Sequence, residues 1–233
     1  MPRSETRAVI WDVDGTLVDT AELHFQAWEA LCRDLGRPFT RADFKATFGR
    51  RNPEILTHLF GTRFTVTEMD TLGVRKEELY KDAARQGVGL LPGARALLDG
   101  LHAAGFRQAI GSSAPRGNVD LILQLTGTEH LFEAISSAED TQRGKPDPQV
   151  FLVAAEKLGV APECCVVMED AVAGVQAARA GGMGCIAVRF VGHHAASALN
   201  TAGANLVVES LEQVSVQTVR SIIEESNYSE DEG

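Results

Sequence analysis

Ala8-Val-Ile-Trp-Asp12-Val-Asp14-Gly-Thr16 is the stretch from which the fold of this chain is read. An apolar run of this length suits a strand buried on both faces, as in a parallel sheet. The spacing predicts a strand over 8–13. Two carboxylates, two residues apart, stand at its end, and Gly15 permits a sharp turn there. In open parallel sheets, ligand crevices lie outside such strand ends. The plainer reading of the same residues is a polar Asp-Gly turn without chemistry.

Outward from that stretch, strand and helix signals alternate. Gln108–Gly111, Ala134–Ser136, Cys165–Met168, Cys185–Val188 and Leu206–Val208 read as further strands. Helical spacing runs over 94–104, 148–158 and 170–180, followed by Gly105, Gly159 and Gly181 as expected C-terminal caps. This rhythm predicts an α/β fold with a doubly wound parallel sheet. Residues 20–90 break it, because they read as helices only. Leu23, Ala27, Leu31 and Leu35 form one stripe, and Thr40-Arg-Ala-Asp43 resembles a capping box. Asn52-Pro53 reads as an N-cap followed by proline, and 67–86 is amphipathic. The block reads as a helical cap domain (20–90) inserted into a core domain (1–19 and 91–233), with joints near Val18–Asp19 and Leu90–Pro92. The residues from Glu224 onward read as a solvated acidic tail.

The chain has 233 residues, 44% hydrophobic and 23% charged, which is enough for a sizeable core and argues against disorder. A net charge of −10 disfavours nucleic acid as a partner. No run approaches the ~20 apolar residues of a membrane span, and no signal peptide is legible, so a cytoplasmic chain without a membrane partner is expected. Cys32, Cys164, Cys165 and Cys185 form no C-x-x-C and are expected to be reduced, buried thiols.

A second acidic pair, Glu169-Asp170, ends the Cys165–Met168 run. Helix capping accounts for Asp170 but not for Glu169. If the two strands are neighbours, four carboxylates converge and repel one another unless a cation joins them. Oxygen ligands without His or Cys favour magnesium, Mg2+, over zinc. Lys145 lies in Arg143-Gly-Lys-Pro-Asp-Pro148, a constrained loop able to aim its charge. Ser112 and Ser113 follow a strand end, where a hydroxyl and backbone N–H groups make a phosphate cradle. Together these parts suit phosphoryl transfer.

With Asp12-x-Asp14-Gly-Thr, Ser112, Lys145-Pro and Glu169-Asp170 in order, the chain resembles the haloacid dehalogenase superfamily in its phosphotransferase branch. The resemblance spans nearly the whole chain. It implies a Rossmann-like core with an inserted helical cap. It implies Asp12 as the nucleophile, Asp14 as general acid and base, and Ser112 and Lys145 as phosphoryl-holding groups. It also implies magnesium held by Asp12, the Asp14 carbonyl and one or both of Glu169 and Asp170. Within the superfamily the chain is most similar to the β-phosphoglucomutase-like group and its phosphatase relatives. His24 falls where the mutase carries a His that orients the acid/base Asp, and Lys76 where it carries a substrate-facing Lys. Alone, each reads as an ordinary surface charge. The mutase segment Gly-x-Ser-Arg is replaced by Phe48-Gly49-Arg50-Arg51-Asn52-Pro53, with Asn52 at the arginine position. Arg50 or Arg51 can substitute, because the side chain is long and forked.

The reading is therefore a magnesium-dependent phosphatase of a small phosphorylated metabolite, with a phosphosugar favoured, acting as a monomer. Its alternative is a hexose-phosphate mutase. A dehalogenase has no use for Asp14, since halide leaves without a proton. A receiver module lacks both that acid and the helical insert. A catalytically dead binding module is expected to have lost Asp12, Asp14 or Lys145, and all three are present.

Overall fold

The computed structural model describes residues 6–47 and 50–228. Six strands, β1 (Ala8–Trp11), β2 (Arg107–Gly111), β3 (Ala134–Ser136), β4 (Cys165–Glu169), β5 (Gly184–Val188) and β6 (Leu206–Val208), form one sheet of order β3-β2-β1-β4-β5-β6. Every pairing is parallel. The order reverses at β1, so a crevice opens beside the carboxyl ends of β1 and β4. All four residues of β1 are buried, as its unbroken apolar run requires. Val9 and Trp11 join one apolar layer, and Ala8 and Ile10 join the other. That is the period-two alternation of a strand covered on both faces.

The helices are α1 (Ala21–Asp34), α2 (Arg41–Thr47), α3 (Asn52–Phe60), α4 (Val66–Ala84), α5 (Ala94–Ala103), α6 (Arg116–Thr126), α7 (Gln149–Leu158), α8 (Val172–Ala180), α9 (Ala196–Thr201) and α10 (Val216–Tyr228). Leu97 and Leu98 of α5, Val119 and Ile122 of α6, and Val219 and Ile222 of α10 pack the first layer. Phe151 of α7, Val175 of α8 and Leu199 of α9 pack the second. Helices α1 to α3 enclose a separate cluster around Phe25, Trp28, Phe44 and Leu56. Val18 pairs with Leu90 in an antiparallel bridge, and Leu91 N–H donates to the Leu17 carbonyl at 2.8 Å. The two chain segments that join the helical block to the sheet therefore run side by side.

Several expectations are corrected. β1 stops at Trp11 rather than residue 13, because the Leu17 and Val18 N–H groups turn back onto the Val13 carbonyl. Asp170 is not the cap of the following helix; α8 begins at Val172 with Ala171 as its N-cap. Gly181 caps α8 as expected, and the left-handed residue follows it at Gly182. Arg51, not Asn52, is the N-cap of α3, and Asn52 turns its amide to Glu77. The long amphipathic helix starts one residue early, because Thr65 and Glu68 form a reciprocal capping box. The Thr40–Asp43 box forms as expected. The acidic segment from Glu224 continues α10 as far as Tyr228. Its remainder, Ser229–Gly233, and the Phe48–Gly49 part of the cap segment lie outside the described residues. α9 and α10 gave no helix expectation, and α6 begins at Arg116, just after Pro115, where a helix start is expected. The four cysteines are free and buried. No helix among the described residues is long and apolar enough to cross a membrane.

Candidate active site

The turn after β1 places Asp12 and Asp14 at the mouth of the crevice. Gly15 makes that turn with φ +89°, and a Cβ there would lie 2.2 Å from the Asp170 carboxylate. β4 delivers Glu169 and Asp170 beside Asp12. Oxygens of Asp12, Glu169 and Asp170 lie within 4.8 Å of one another, and all three residues are buried.

Lys145 enters from the loop before α7. Its Nζ donates to Asp12 Oδ1 at 2.7 Å and to Glu169 Oε1 at 2.6 Å. Glu169 also accepts the N–H groups of Asp170 and Ala171, each at 2.7 Å. The Asp170 carboxylate receives no hydrogen bond among the described residues. Burial pushes the Asp12 carboxyl up to about 7, with Lys145 opposing and Glu169 adding. Burial and the neighbouring Glu169 and Asp12 raise Asp170 well above the ordinary range. Burial disfavours the Lys145 charge, but Asp12 and Glu169 outweigh it and raise its pKa. One ammonium against three carboxylates leaves the cluster short of positive charge. The all-oxygen donor set fits a hard divalent cation such as magnesium.

Asp14 faces the helical block instead. Thr20 Oγ1 donates to Asp14 Oδ1, and His24 Nε2 lies 3.2 Å from the same oxygen. Burial raises the Asp14 carboxyl, yet attraction to His24 and the hydrogen bonds of His24 and Thr20 leave it below the ordinary range. His24 Nδ1 lies 2.8 Å from Lys76 Nζ, and Tyr80 stacks on the imidazole at 4.2 Å. Lys76 pairs with Glu77 at 3.0 Å. Ser112 follows β2, fully buried, and its Oγ accepts the Ala114 N–H at 3.0 Å.

All twelve residues singled out in the sequence line one cavity of about 620 Å³: Asp12, Asp14, His24, Arg50, Arg51, Asn52, Lys76, Ser112, Ser113, Lys145, Glu169 and Asp170. The cap residues are engaged differently from one another. Arg51 donates to Thr141 Oγ1 at 2.6 Å and to the carbonyls of Thr141 and Gln142. Arg50 is exposed, and its side chain has no hydrogen bond or ion pair among the described residues. Sequence reasoning missed Thr20, Glu77, Asn118 and Thr141. Thr20 stood where an N-cap is expected, and that signal could have drawn it to the acidic turn; the others carry no local signal.

A family model of haloacid dehalogenase-like hydrolases matches residues 6–182. The chain is 35% identical over 189 residues to a β-phosphoglucomutase of Bacillus subtilis, covering 78% of this chain and 83% of that protein. It is 30% identical over 185 residues to the fructose-1-phosphate phosphatase YqaB of Escherichia coli, covering 78% of this chain and 96% of that one. A crystal structure of β-phosphoglucomutase from Clostridium difficile superposes with a TM-score of 0.85 at 26% identity, covering 96% of this chain and 99% of that one.

Proposed function

The chain belongs to the haloacid dehalogenase-like hydrolases, and from that premise we propose that it is a magnesium-dependent phosphatase of a small phosphorylated metabolite, a phosphosugar above all. The observation that carries this reading is the Lys145 ammonium at 2.7 Å from Asp12, with Asp14 two residues on in the same cavity. Asp12 attacks phosphorus, and the bond from phosphorus to the sugar oxygen breaks. Asp14 gives its proton to the departing alkoxide. Asp14 then takes a proton from the water that attacks the aspartyl-phosphate, releasing phosphate and restoring Asp12.

A carboxyl held below its usual range suits the base half. A dianionic phosphoryl group beside it favours the protonated form needed for the acid half. Lys145 and Ser112 hold the phosphoryl oxygens. A bound magnesium ion would offset negative charge on carboxylate and phosphoryl oxygens. Asp12 and Asp170 are the side chains to hold it, since Glu169 is already occupied by Lys145 and two backbone N–H groups.

The phosphatase reading is supported by the position of the mutase arginine, which is Asn52 here, and by Arg51, which is spent on the Thr141 loop. The similarity to a fructose-1-phosphate phosphatase agrees. A hexose-phosphate mutase is the second reading, favoured by the His24 contacts with Asp14 and Lys76. The test is product analysis with β-glucose 1-phosphate, magnesium and a trace of glucose 1,6-bisphosphate, beside a panel of sugar phosphates. Free phosphate is expected. Glucose 6-phosphate as the main product would make the chain a mutase, and no phosphate from any sugar phosphate would sink the phosphatase reading.

A further inference from the structure

Asp14 is reached from the helical block by an unbroken run of side-chain contacts. His24 stands 3.2 Å from Asp14, Lys76 stands 2.8 Å from the other nitrogen of His24, and Glu77 stands 3.0 Å from Lys76. The run does not end in the helical block. Glu77 Oε1 accepts from Asn52 Nδ2 of α3 at 2.6 Å, and Glu77 Oε2 accepts from Asn118 Nδ2 of α6. α6 follows β2, the strand that carries Ser112 at its end. Glu77 thus ties the acid/base side of the site to the phosphate side.

We propose that Glu77 is a positioning residue for Asp14: it holds Lys76 as an ammonium, which fixes the tautomer of His24, and it does so fully only while α4 lies against Asn118. This rests on the reading of Asp14 as acid and base given above.

The argument is one of donors and acceptors. An ammonium offers three donors and no acceptor. At 2.8 Å from His24 Nδ1 it must donate, so that nitrogen carries the lone pair. The single imidazole proton then lies on Nε2, pointed at Asp14 Oδ1. Lys76 is only 2% exposed, and burial alone works against its charge. A neutral amine accepts as well as donates, and it would allow the opposite tautomer, with a lone pair facing the Asp14 carboxylate. Glu77 removes that alternative by pairing with the ammonium. Asn118 and Asn52 hold Glu77 in place, and Tyr80 holds the ring plane at 4.2 Å.

The test uses the full chain with magnesium and two esters of similar shape, phenyl phosphate and p-nitrophenyl phosphate. Nitrophenolate leaves without a proton, whereas phenolate gains from one. In Glu77→Gln the ratio of kcat/KM for phenyl over p-nitrophenyl phosphate is expected to fall about tenfold, a fraction of what a general acid supplies. The p-nitrophenyl value itself is expected to stay within about threefold of wild type, since its chemistry needs no acid. Glu77→Asp should recover part of the ratio. A merely structural role would lower both esters together, and that result overturns the proposal. Should Glu77→Gln fail to fold, Asn118→Ala carries the test: a ratio lowered in the same direction supports the proposal, and an unchanged ratio overturns it. Wild type releasing no phosphate from either ester or from any sugar phosphate would overturn the phosphatase reading and this proposal with it. Where only sugar phosphates are turned over, a kcat/KM for the best of them left unchanged in Glu77→Gln overturns the role of Glu77, since an alkoxide leaving group needs the acid. Wild type turning over both, with the variants keeping its ratio, would overturn the role of Glu77 alone.

Discussion

The Arg51 guanidinium of the helical block donates to Thr141 Oγ1 at 2.6 Å and to the Thr141 carbonyl at 3.3 Å, across 90 residues of sequence. These bonds exist only while the block lies over the sheet. Each net hydrogen bond is worth about 1 kcal/mol, so their loss shifts the balance toward an open arrangement. Apparent affinity falls with the population of the binding-competent form. Arg51→Ala is therefore expected to raise KM about five- to tenfold while kcat changes less than about threefold. Arg51→Lys should recover only part of this, because lysine lacks the rigid planar guanidinium whose two terminal nitrogens both reach Thr141. Initial rates on the best sugar phosphate decide it, and an unchanged KM would show that the bridge does not bias closure.

Asp12→Asn keeps the shape of the side chain but removes the nucleophile. Turnover is expected to fall by at least about 1000-fold, as when a covalent step loses its attacking atom. Phosphate release is the measurement, and thermal melting should show the fold intact. Retained turnover would remove Asp12 from the nucleophilic role.

Gly174→Ala should destabilise, contrary to the usual gain from replacing a helical glycine with alanine. A Cβ on Gly174 would lie 1.7 Å from Glu169 Oε1. Glu169 cannot step aside without leaving Lys145 and two backbone N–H groups. A loss of at least about 2 kcal/mol is expected, lowering Tm by roughly 4–8 °C for a chain of this size, with a large loss of turnover. An unchanged melting curve would mean that Glu169 is not held where it is described.

The sheet and the acidic cluster were legible because their signals are local. An apolar run ending in two carboxylates needs no distant partner to be read, and β1 and β4 repeat that pattern. Lys145 stood out through its constrained loop. Glu77 did not, because in Arg75-Lys-Glu-Glu78 nothing separates a buried carboxylate from a solvated one. Its burial comes from α4 packing against α1 and α6. Asn118 sits in Arg116-Gly-Asn, where a weak helix start hid the Val119, Ile122 and Leu123 stripe behind it. The acidic end of α10 misled for the same reason: Ile222 and Ile223 are buried against the sheet, while Glu225 just after them is exposed.

Magnesium should stabilise the protein more at pH 8 than at pH 5. Without metal, burial raises Asp12 from 3.8 to about 7, with Lys145 opposing and Glu169 adding, and it raises Asp170 as well. A group whose pKa is raised on folding adds stability that is complete below its unfolded value and lost as pH climbs through the folded one. For Asp12 that window runs from about 4 to about 7. At pH 5 a cation must displace protons from these carboxyls, and at pH 8 it meets them already charged. At about 100 times Kd a ligand adds about 2.7 kcal/mol, or roughly 5–10 °C in Tm for this chain length. A gain of that order is expected at pH 8 and less than about half of it at pH 5. A chelator should abolish phosphate release, and added magnesium should restore it. Equal gains in Tm at the two pH values would mean that these carboxyls are not the ones that meet the metal.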